Sequence, residues 1–417
     1  MHFDRRSLLA SSLALAGLGL SFRAALAAVT TAAPESVGIS TAGLAELDKA
    51  MHALVDDQKL AGVTTLVARH GKVVHFDAYG KRGLADGAPM QKDTIFRIAS
   101  MTKPICGVAM MMLWEQGKLK LTDRVDQHIP QFKGLKVQAK DGALVDQATP
   151  MTMAQLMSHT AGFGVNADYE GQKFGEGDLQ GMIDKLAKLP LKAQPGTDFL
   201  YGPSVNIQGY LVEKFSGMTL DRFLADRIFG PLGMLDTGFW VAPEKASRVA
   251  RVNTYKDGKI VELPTQNDPT RKPTFLSGSG GLLSTTEDYW RFAQMVATGG
   301  QSGGKRFIKA STVTLMHTNV LQPGVFVDLY GPNQLGLGFG LDFAVLMDPA
   351  LAKSPQGLNT FYWGGAFGTW FWIDPTNDLV FVGMIQNLNG SVPGMGTPAV
   401  REISPRLTYA ALTDPKK

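Results

Sequence analysis

A single cysteine, Cys106, stands among the 417 residues, so no disulfide can form within the chain. It lies in ICGVAMMMLW, a run apolar enough for the inside of a buried helix, and packing rather than thiol chemistry is expected of it. Histidine is scarce as well. The seven residues His2, His52, His70, His75, His128, His159 and His317 form no HExxH, HxH or Cys/His cluster, so no metal site is expected. No GxGxxG introduces a strand-to-helix unit and no Walker A sequence occurs, so no cofactor is expected either. An excess of one charge is also missing. The formal charge is +4, it falls to +2 without the first 27 residues, and no basic run remains to hold nucleic acid. Beyond the N-terminal segment, no apolar stretch approaches the roughly 20 residues that cross a bilayer.

What is present describes an ordinary globular chain: 44% hydrophobic and 19% charged residues, with length enough for a large core and two subdomains. Its first 27 residues read MHFDRRSLLASSLALAGLGLSFRAALA. A basic pair, Arg5-Arg6, precedes an interrupted apolar stretch from Leu8 to Leu20, and Ala25-Leu26-Ala27 offers a small-x-small cleavage site. The paired arginines, the diluted apolar region and the later Arg23 resemble a twin-arginine signal. The run is too short and broken for an anchor. Residues 1–27 are therefore expected to be a cleaved export signal, leaving a periplasmic chain with no stable membrane anchor.

Strand patterns lie near both ends. TTLVARHGKVVHFDAYG (Thr64 to Gly80) reads as two strands joined at His70-Gly71, and TWFWIDPTNDLVFVGMIQN (Thr369 to Asn387) as two more turning through Asp374 to Asn377. Between them the spacing is helical, as in Leu179, Met182, Ile183, Leu186 and in Ile207, Leu211, Phe215. Thr285-x-x-Asp288 starts a helix that Gly299-Gly300 ends. A C-terminal helix through TPAVREISPRLTYAALT should be interrupted or kinked at Pro405. The expected architecture is an α/β (α+β) fold, an antiparallel sheet flanked by helices. Residues 28–121 and 268–417 form a discontinuous α/β domain, and 122–267 an inserted, mostly helical subdomain.

Two Ser-x-x-Lys patterns occur. Ser302 also matches GxSxG in Gly300-Gln301-Ser302-Gly303-Gly304, but a nucleophile elbow needs a strand before the serine and a helix after it. A helix precedes it and glycines surround it, so Ser302 is expected to be a turn residue. Ser100, in IASMTKP, stands just ahead of the apolar helix PICGVAMMMLWEQGKL. Residues three apart on a helix share a face, so Lys103 can reach its hydroxyl. Free N–H groups at that helix end can hold an oxyanion. Burial lowers a lysine's proton affinity and makes it a general base near neutral pH.

SMTK is followed by FLYGPS (Phe199 to Ser204) and WGGAFGT (Trp363 to Thr369). LMSHTAGF, IFGPLGMLDTGF and SGGLLSTTEDYWRF add secondary signatures. Together, and in this order, they resemble the serine β-lactamase and penicillin-binding superfamily, closest to class C β-lactamases and family VIII carboxylesterases. The resemblance implies a β-lactamase-like fold with Ser100 as nucleophile, Lys103 as its base or the group tuning it, and Tyr201 as phenolic base. It also implies an oxyanion hole from the backbone N–H groups of Ser100 and Ala366, and a substrate-binding strand at Trp363, Gly364 and Gly365. A tyrosine titrates near 10, so Lys103 is expected to make Tyr201 a usable base. His159, within HTAG, is expected to be a hydrogen-bonded scaffold residue. Some of Phe361, Tyr362, Phe367 and Trp370 should line a pocket and the rest be core. Two departures stand out. Tyr201-Gly202-Pro203 replaces the class C Tyr-x-Asn, and Trp363 takes the place of the lysine in Lys-Thr-Gly. The reading is an ester hydrolase working through an acyl-enzyme without a cofactor, on a small-molecule ester and only weakly on β-lactams. The alternatives are a β-lactamase, a D-amino-acid peptidase or an acyltransferase of the same fold, or a penicillin-binding receptor that does not turn over.

Overall fold

All eight residues of strand β1 (Gly62–Arg69) are buried, which requires cover on both faces of the sheet that holds it. The computed structural model shows that cover, describing residues 29–164, 175–256, 259–264, 267–328, 334–388 and 399–416. The expected export segment, 1–27, lies outside the described residues.

Strand β1 turns into β2 (Lys72–Gly80) through His70 and Gly71, both left-handed at φ +50° and +72°, the combination a tight two-residue hairpin needs. The remaining strands of the sheet come from the far end of the chain: β3 (Leu337–Phe339), β4 (Ala344–Leu346), β5 (Phe361–Gly364), β6 (Trp370–Asp374) and β7 (Leu379–Met384). Their order is β3-β4-β5-β6-β7-β1-β2, antiparallel throughout. The β6–β7 turn is organised by Asp374, whose Oδ1 accepts from the N–H groups of Thr376 and Asn377.

The longer helices are α1 (Thr41–Asp56), α2 (Thr102–Glu115), α3 (Leu179–Leu186), α4 (Ser204–Ser216), α5 (Thr286–Ala297) and α6 (Val400–Ala410). One face of the sheet packs against α1 and α6. Leu44, Leu47 and Met51 of α1 and Tyr409 of α6 join Val63, Val67, Trp372 and Phe381 in one apolar cluster. The opposite face meets α5, where Thr286 Oγ1 lies 2.6 Å from Thr64 Oγ1 and the Tyr289 ring 4.9 Å from that of Phe371. Alternation along β1 thus sends Val63 and Val67 to one layer and Thr64 to the other. Helix α5 begins at Thr285, whose side chain accepts from the Asp288 N–H, and Gly299 and Gly300 follow its end.

Two expectations are corrected. Helix α6 runs on without a break through Pro405. Proline lacks one N–H, and the remaining turns and their apolar face carry the helix past it. Ser302 is a strand residue, paired with Lys305 across a two-stranded hairpin whose turn is Gly303-Gly304; both are exposed. The stretch 122–267 also holds two hairpins, Val137–Gln138 with Leu144–Val145 and Asn253–Lys256 with Lys259–Glu262. Among the described residues no helix is long and apolar enough to cross a membrane.

Candidate active site

Ser100 lies in a single 3₁₀ turn, Ala99–Met101, that runs directly into α2. Ala99 has φ +45°, a left-handed conformation that costs a residue with a Cβ about 1–2 kcal/mol. Neighbouring elements hold it there. The Ile98 N–H donates to the Leu282 carbonyl at 3.0 Å, and the Ile98 carbonyl accepts from Thr369 Oγ1 at 3.1 Å. The Tyr289 hydroxyl of α5 donates to the Met101 carbonyl at 2.9 Å.

Lys103 is 3% exposed, and its ammonium donates to Ser100 Oγ at 3.1 Å and to the Ser279 carbonyl at 2.7 Å. The Ser279 loop is in turn fixed by Asn206 on α4, whose Oδ1 accepts from the Ser279 N–H and the Ser277 hydroxyl, each at 2.9 Å. Asp342, left-handed at φ +64° and buried, takes a hydrogen bond from Gln208 at 3.1 Å. Its Oδ2 would lie 2.6 Å from any Cβ at Gly107, which is why α2 carries a glycine one turn beyond Lys103. Burial pushes the Asp342 carboxyl well above the usual carboxylate range, and the Lys103 cation opposes that only in part.

Tyr201 precedes α4 and is partly buried. Trp363 Nε1 donates to its hydroxyl at 3.4 Å, and the Lys103 ammonium sits over its ring, 4.5 Å from the centroid. Burial pushes the phenol up to about 12, and hydrogen bonds with Ser100 and Trp363 offset only part of the rise. The expected cation lies over the ring, while burial of the phenol acts in the opposite sense.

The WGG strand meets this group from the sheet. Trp363 is buried among Tyr201 and Phe339, its ring centre 5.5 and 5.4 Å from theirs. A Cβ on Gly364 would fall 2.4 Å from the Arg401 guanidinium, and one on Gly365 2.3 Å from the Ile98 carbonyl oxygen. Protein atoms therefore fill the space that these glycines leave open. Arg401, on α6, donates to the carbonyls of Gly365 and Thr369 at 3.0 and 2.9 Å. It clamps both ends of the turn that carries Ala366. Ala366 itself is exposed at the tip, and its N–H makes no backbone hydrogen bond among the described residues.

His159 is buried with its ring 4.9 Å from that of Tyr201, and its carbonyl accepts from the Leu200 N–H at 2.8 Å. Its scaffold role runs through ring packing and backbone, since neither ring nitrogen has a hydrogen-bond partner among the described residues. Burial holds the imidazole well below its ordinary range, so it stays neutral. Cys106 is buried, and that burial pushes its thiol well up, away from reactivity. Phe361 is core, stacked on His317 at 4.4 Å, while Trp370 is pinned by a 3.0 Å bond to Ser404. Two cavities flank the group. One of about 1080 Å³ is lined by Tyr201, Leu346, Tyr362, Trp363 and Arg401. The other, of about 730 Å³, is lined by Arg97, Phe239, Gly281 and Phe367.

A serine bonded to a buried lysine, a tyrosine beside both and a glycine-bearing strand edge recur in one group of proteins, and the Beta-lactamase family model matches residues 47–403. The chain belongs to the beta-lactamase family. Protein Rv1367c of Mycobacterium tuberculosis (strain ATCC 25618 / H37Rv) is 32% identical over 383 residues, 85% of this chain and 95% of that protein. Esterase EstB of Burkholderia gladioli is 28% identical over 398 residues, 88% of this chain and 97% of that one. Among solved structures, EstCE1, a hydrolase with promiscuous acyltransferase activity, superposes with a TM-score of 0.76 at 25% identity, covering 88% and 99% of the two chains. The motif resemblance and the β-lactamase-like fold are borne out by these matches. This member of the beta-lactamase family is a serine hydrolase. Arg401, Asn206 and Asp342, which support its central group, stand far in sequence from the residues they hold, and no motif announced them.

Proposed function

We propose that the protein hydrolyses carboxylic esters through an acyl-enzyme on Ser100. The observation that carries this is the 3.1 Å contact between the Lys103 ammonium and Ser100 Oγ, in a pocket where the same ammonium is anchored to the Ser279 carbonyl. Similarity to an esterase along nearly the whole chain supports the choice of substrate class.

With Lys103 entering the step as its neutral amine, Ser100 Oγ attacks the ester carbonyl as its proton passes to Lys103 Nζ, which becomes the ammonium. Backbone N–H groups of Ser100 and Ala366 hold the oxyanion, with Arg401 keeping the Ala366 turn in place. Tyr201, a neutral phenol, both accepts and donates a proton, and relays one to the departing alkoxide. Water then attacks the acyl-enzyme, loses its proton back through Tyr201 and Lys103, and releases the acid and free Ser100. Ester and water are consumed, acid and alcohol are formed, and no cofactor enters.

Substrate charge follows from the third motif. Trp363 presents an indole where β-lactamases of the Lys-Thr-Gly type present a cation, and Pro203 stands in place of an amide. Charge-assisted hydrogen bonds are worth roughly 1.5–3 kcal/mol, so an anionic β-lactam forgoes that much here. Neutral, fairly apolar esters should be preferred, with Trp363, Gly364 and Gly365 flanking the bound ester. A second reading, acyl transfer to an alcohol in place of water, draws on the promiscuous acyltransferase activity of EstCE1. The test compares kcat/KM for a short-chain nitrophenyl ester and a chromogenic cephalosporin on one preparation. A faster cephalosporin would replace the esterase reading with a β-lactamase one, and a stoichiometric burst without turnover would indicate a receptor. We place this reaction in the periplasm, after export by the twin-arginine route.

A further inference from the structure

The face of the sheet opposite α5 carries a group of side chains that ester hydrolysis leaves unused. Asp48 and His52 are four apart on α1 and so share one side of that helix. His75 and Asp77 are two apart on β2, the edge strand, and so share one side of the sheet. His52 Nε2 lies 2.8 Å from Asp77 Oδ2, and His75 Nε2 lies 3.3 Å from Asp48 Oδ1. One ligand atom each from Asp48, His52 and Asp77 all fall within 4.8 Å of one another. Tyr79 stacks on the His52 ring at 3.8 Å and donates to Asp56 at 2.9 Å, so the imidazole is held in its orientation from behind.

Two carboxylates have been brought together here without an arginine or lysine between them. Asp48 Oδ1 is sealed from solvent and accepts no hydrogen bond of good geometry. His75, its nearest nitrogen neighbour, also lies 3.0 Å from the Thr65 hydroxyl, which competes for the same Nε2. The cluster is supplied with oxygen and nitrogen lone pairs; Lys92 bears on His75 electrostatically, but no lysine or arginine pairs with Asp48 or Asp77 among the described residues.

We propose that Asp48, His52 and Asp77 bind one divalent transition cation, zinc by preference, which clips α1 to the edge strand β2. The donor set selects the metal. One imidazole nitrogen and two carboxylate oxygens suit zinc, which takes such ligands at about 2.0–2.2 Å and leaves a fourth position for water or His75. Calcium needs six to eight oxygens, and two carboxylates cannot supply them. Ligands around a tetrahedral zinc stand about 3.3–3.5 Å apart, so side-chain rotation must close the widest pair by up to about 1.4 Å and open the 2.8 Å His52–Asp77 pair by about 0.6 Å. Strand β2 is four strands from β5, roughly 19 Å across the sheet at the usual spacing, so the clip is separate from Ser100 and its partners.

The experiment uses the mature, tag-free protein, stripped with a chelator and titrated calorimetrically with zinc chloride, with magnesium chloride as comparison. One zinc per chain is expected, with little response to magnesium. Thermal unfolding should shift upward by about 3–5 °C at a hundredfold excess over Kd. His52→Ala and Asp77→Asn should each weaken zinc binding at least about a hundredfold while circular dichroism shows a native fold. Failure of the folded wild-type chain to bind zinc would overturn the proposal. So would uptake that both substitutions leave unchanged, which would place the ion elsewhere, for instance at the exposed His70–Asp378 pair.

Discussion

Tyr201→Phe separates two ways in which this tyrosine can serve. The substitution keeps the ring, its contact with Trp363 and the surface under Lys103, and removes one oxygen. That oxygen accepts a long 3.4 Å bond from Trp363 Nε1, so the fold should lose under about 1 kcal/mol. Proton handling is another matter. Its loss typically costs 10²–10⁴-fold, which is about 2.7–5.5 kcal/mol of transition-state stabilisation. The fall should appear in kcat, with KM for a nitrophenyl ester changing little. Since burial holds the phenol at about 12, it is protonated throughout the working range and ionises only well above pH 10. No limb of the wild-type pH profile between about 6 and 10 then belongs to Tyr201. The Tyr201→Phe profile should be the wild-type curve displaced downward with its shape intact. Steady-state kinetics from pH 6 to 10, with circular dichroism on the same samples, checks this. Wild-type kcat in the variant would refute the relay. Disappearance of an ascending limb near neutrality would mean that Tyr201 works as a phenolate after all.

Ser100→Ala should abolish ester turnover and fluorophosphonate labelling, while Ser302→Ala leaves both near wild type; label mapped to Ser302 would overturn the assignment. Arg401→Met removes the clamp on the Gly365 and Thr369 carbonyls, and loosening of the Ala366 turn should lower kcat by about tenfold to a hundredfold in single-turnover assays. The mature chain should begin near Ala28 in the periplasmic fraction, and replacing Arg5 and Arg6 with lysines should stop export. N-terminal sequencing and fractionation would read both, and export that survives the replacement points to the general secretory route.

Much of the fold was legible because its signals are local. The His70-Gly71 turn, the Thr285 cap and the 179–186 spacing each lie within a few residues of what they specify. Ser100 could be told from Ser302 by the elements on either side, and the structure keeps them apart as a helix entry and an exposed hairpin. The strand order was not legible, since pairing β1 with β7 depends on burial across the whole chain. Nor was the left-handed Ala99, whose strain is maintained by Leu282, Thr369 and Tyr289 from three other segments. Pro405 shows the limit of residue-level rules, because a packed helix tolerates the loss of one bond. Arg401 is an ordinary arginine in the sequence; it becomes part of the site because Gly364 leaves room for its guanidinium.

The pairing of β1 with β7 has a consequence for how the chain is made. Leu66 lies opposite Val382, more than three hundred residues later. Closing a loop of that length costs about 5 kcal/mol of chain entropy before the pairing returns anything. During synthesis β1 has only its hairpin partner β2, and its other edge stays open until the last strand of the sheet, β7, has emerged. The sheet can close only at the end of translation, so folding should be slow and the unfinished chain prone to association through that edge. A stop codon shortly before β7 would therefore release most of the protein's mass with β1 open along one edge, and such a product should aggregate rather than fold in part.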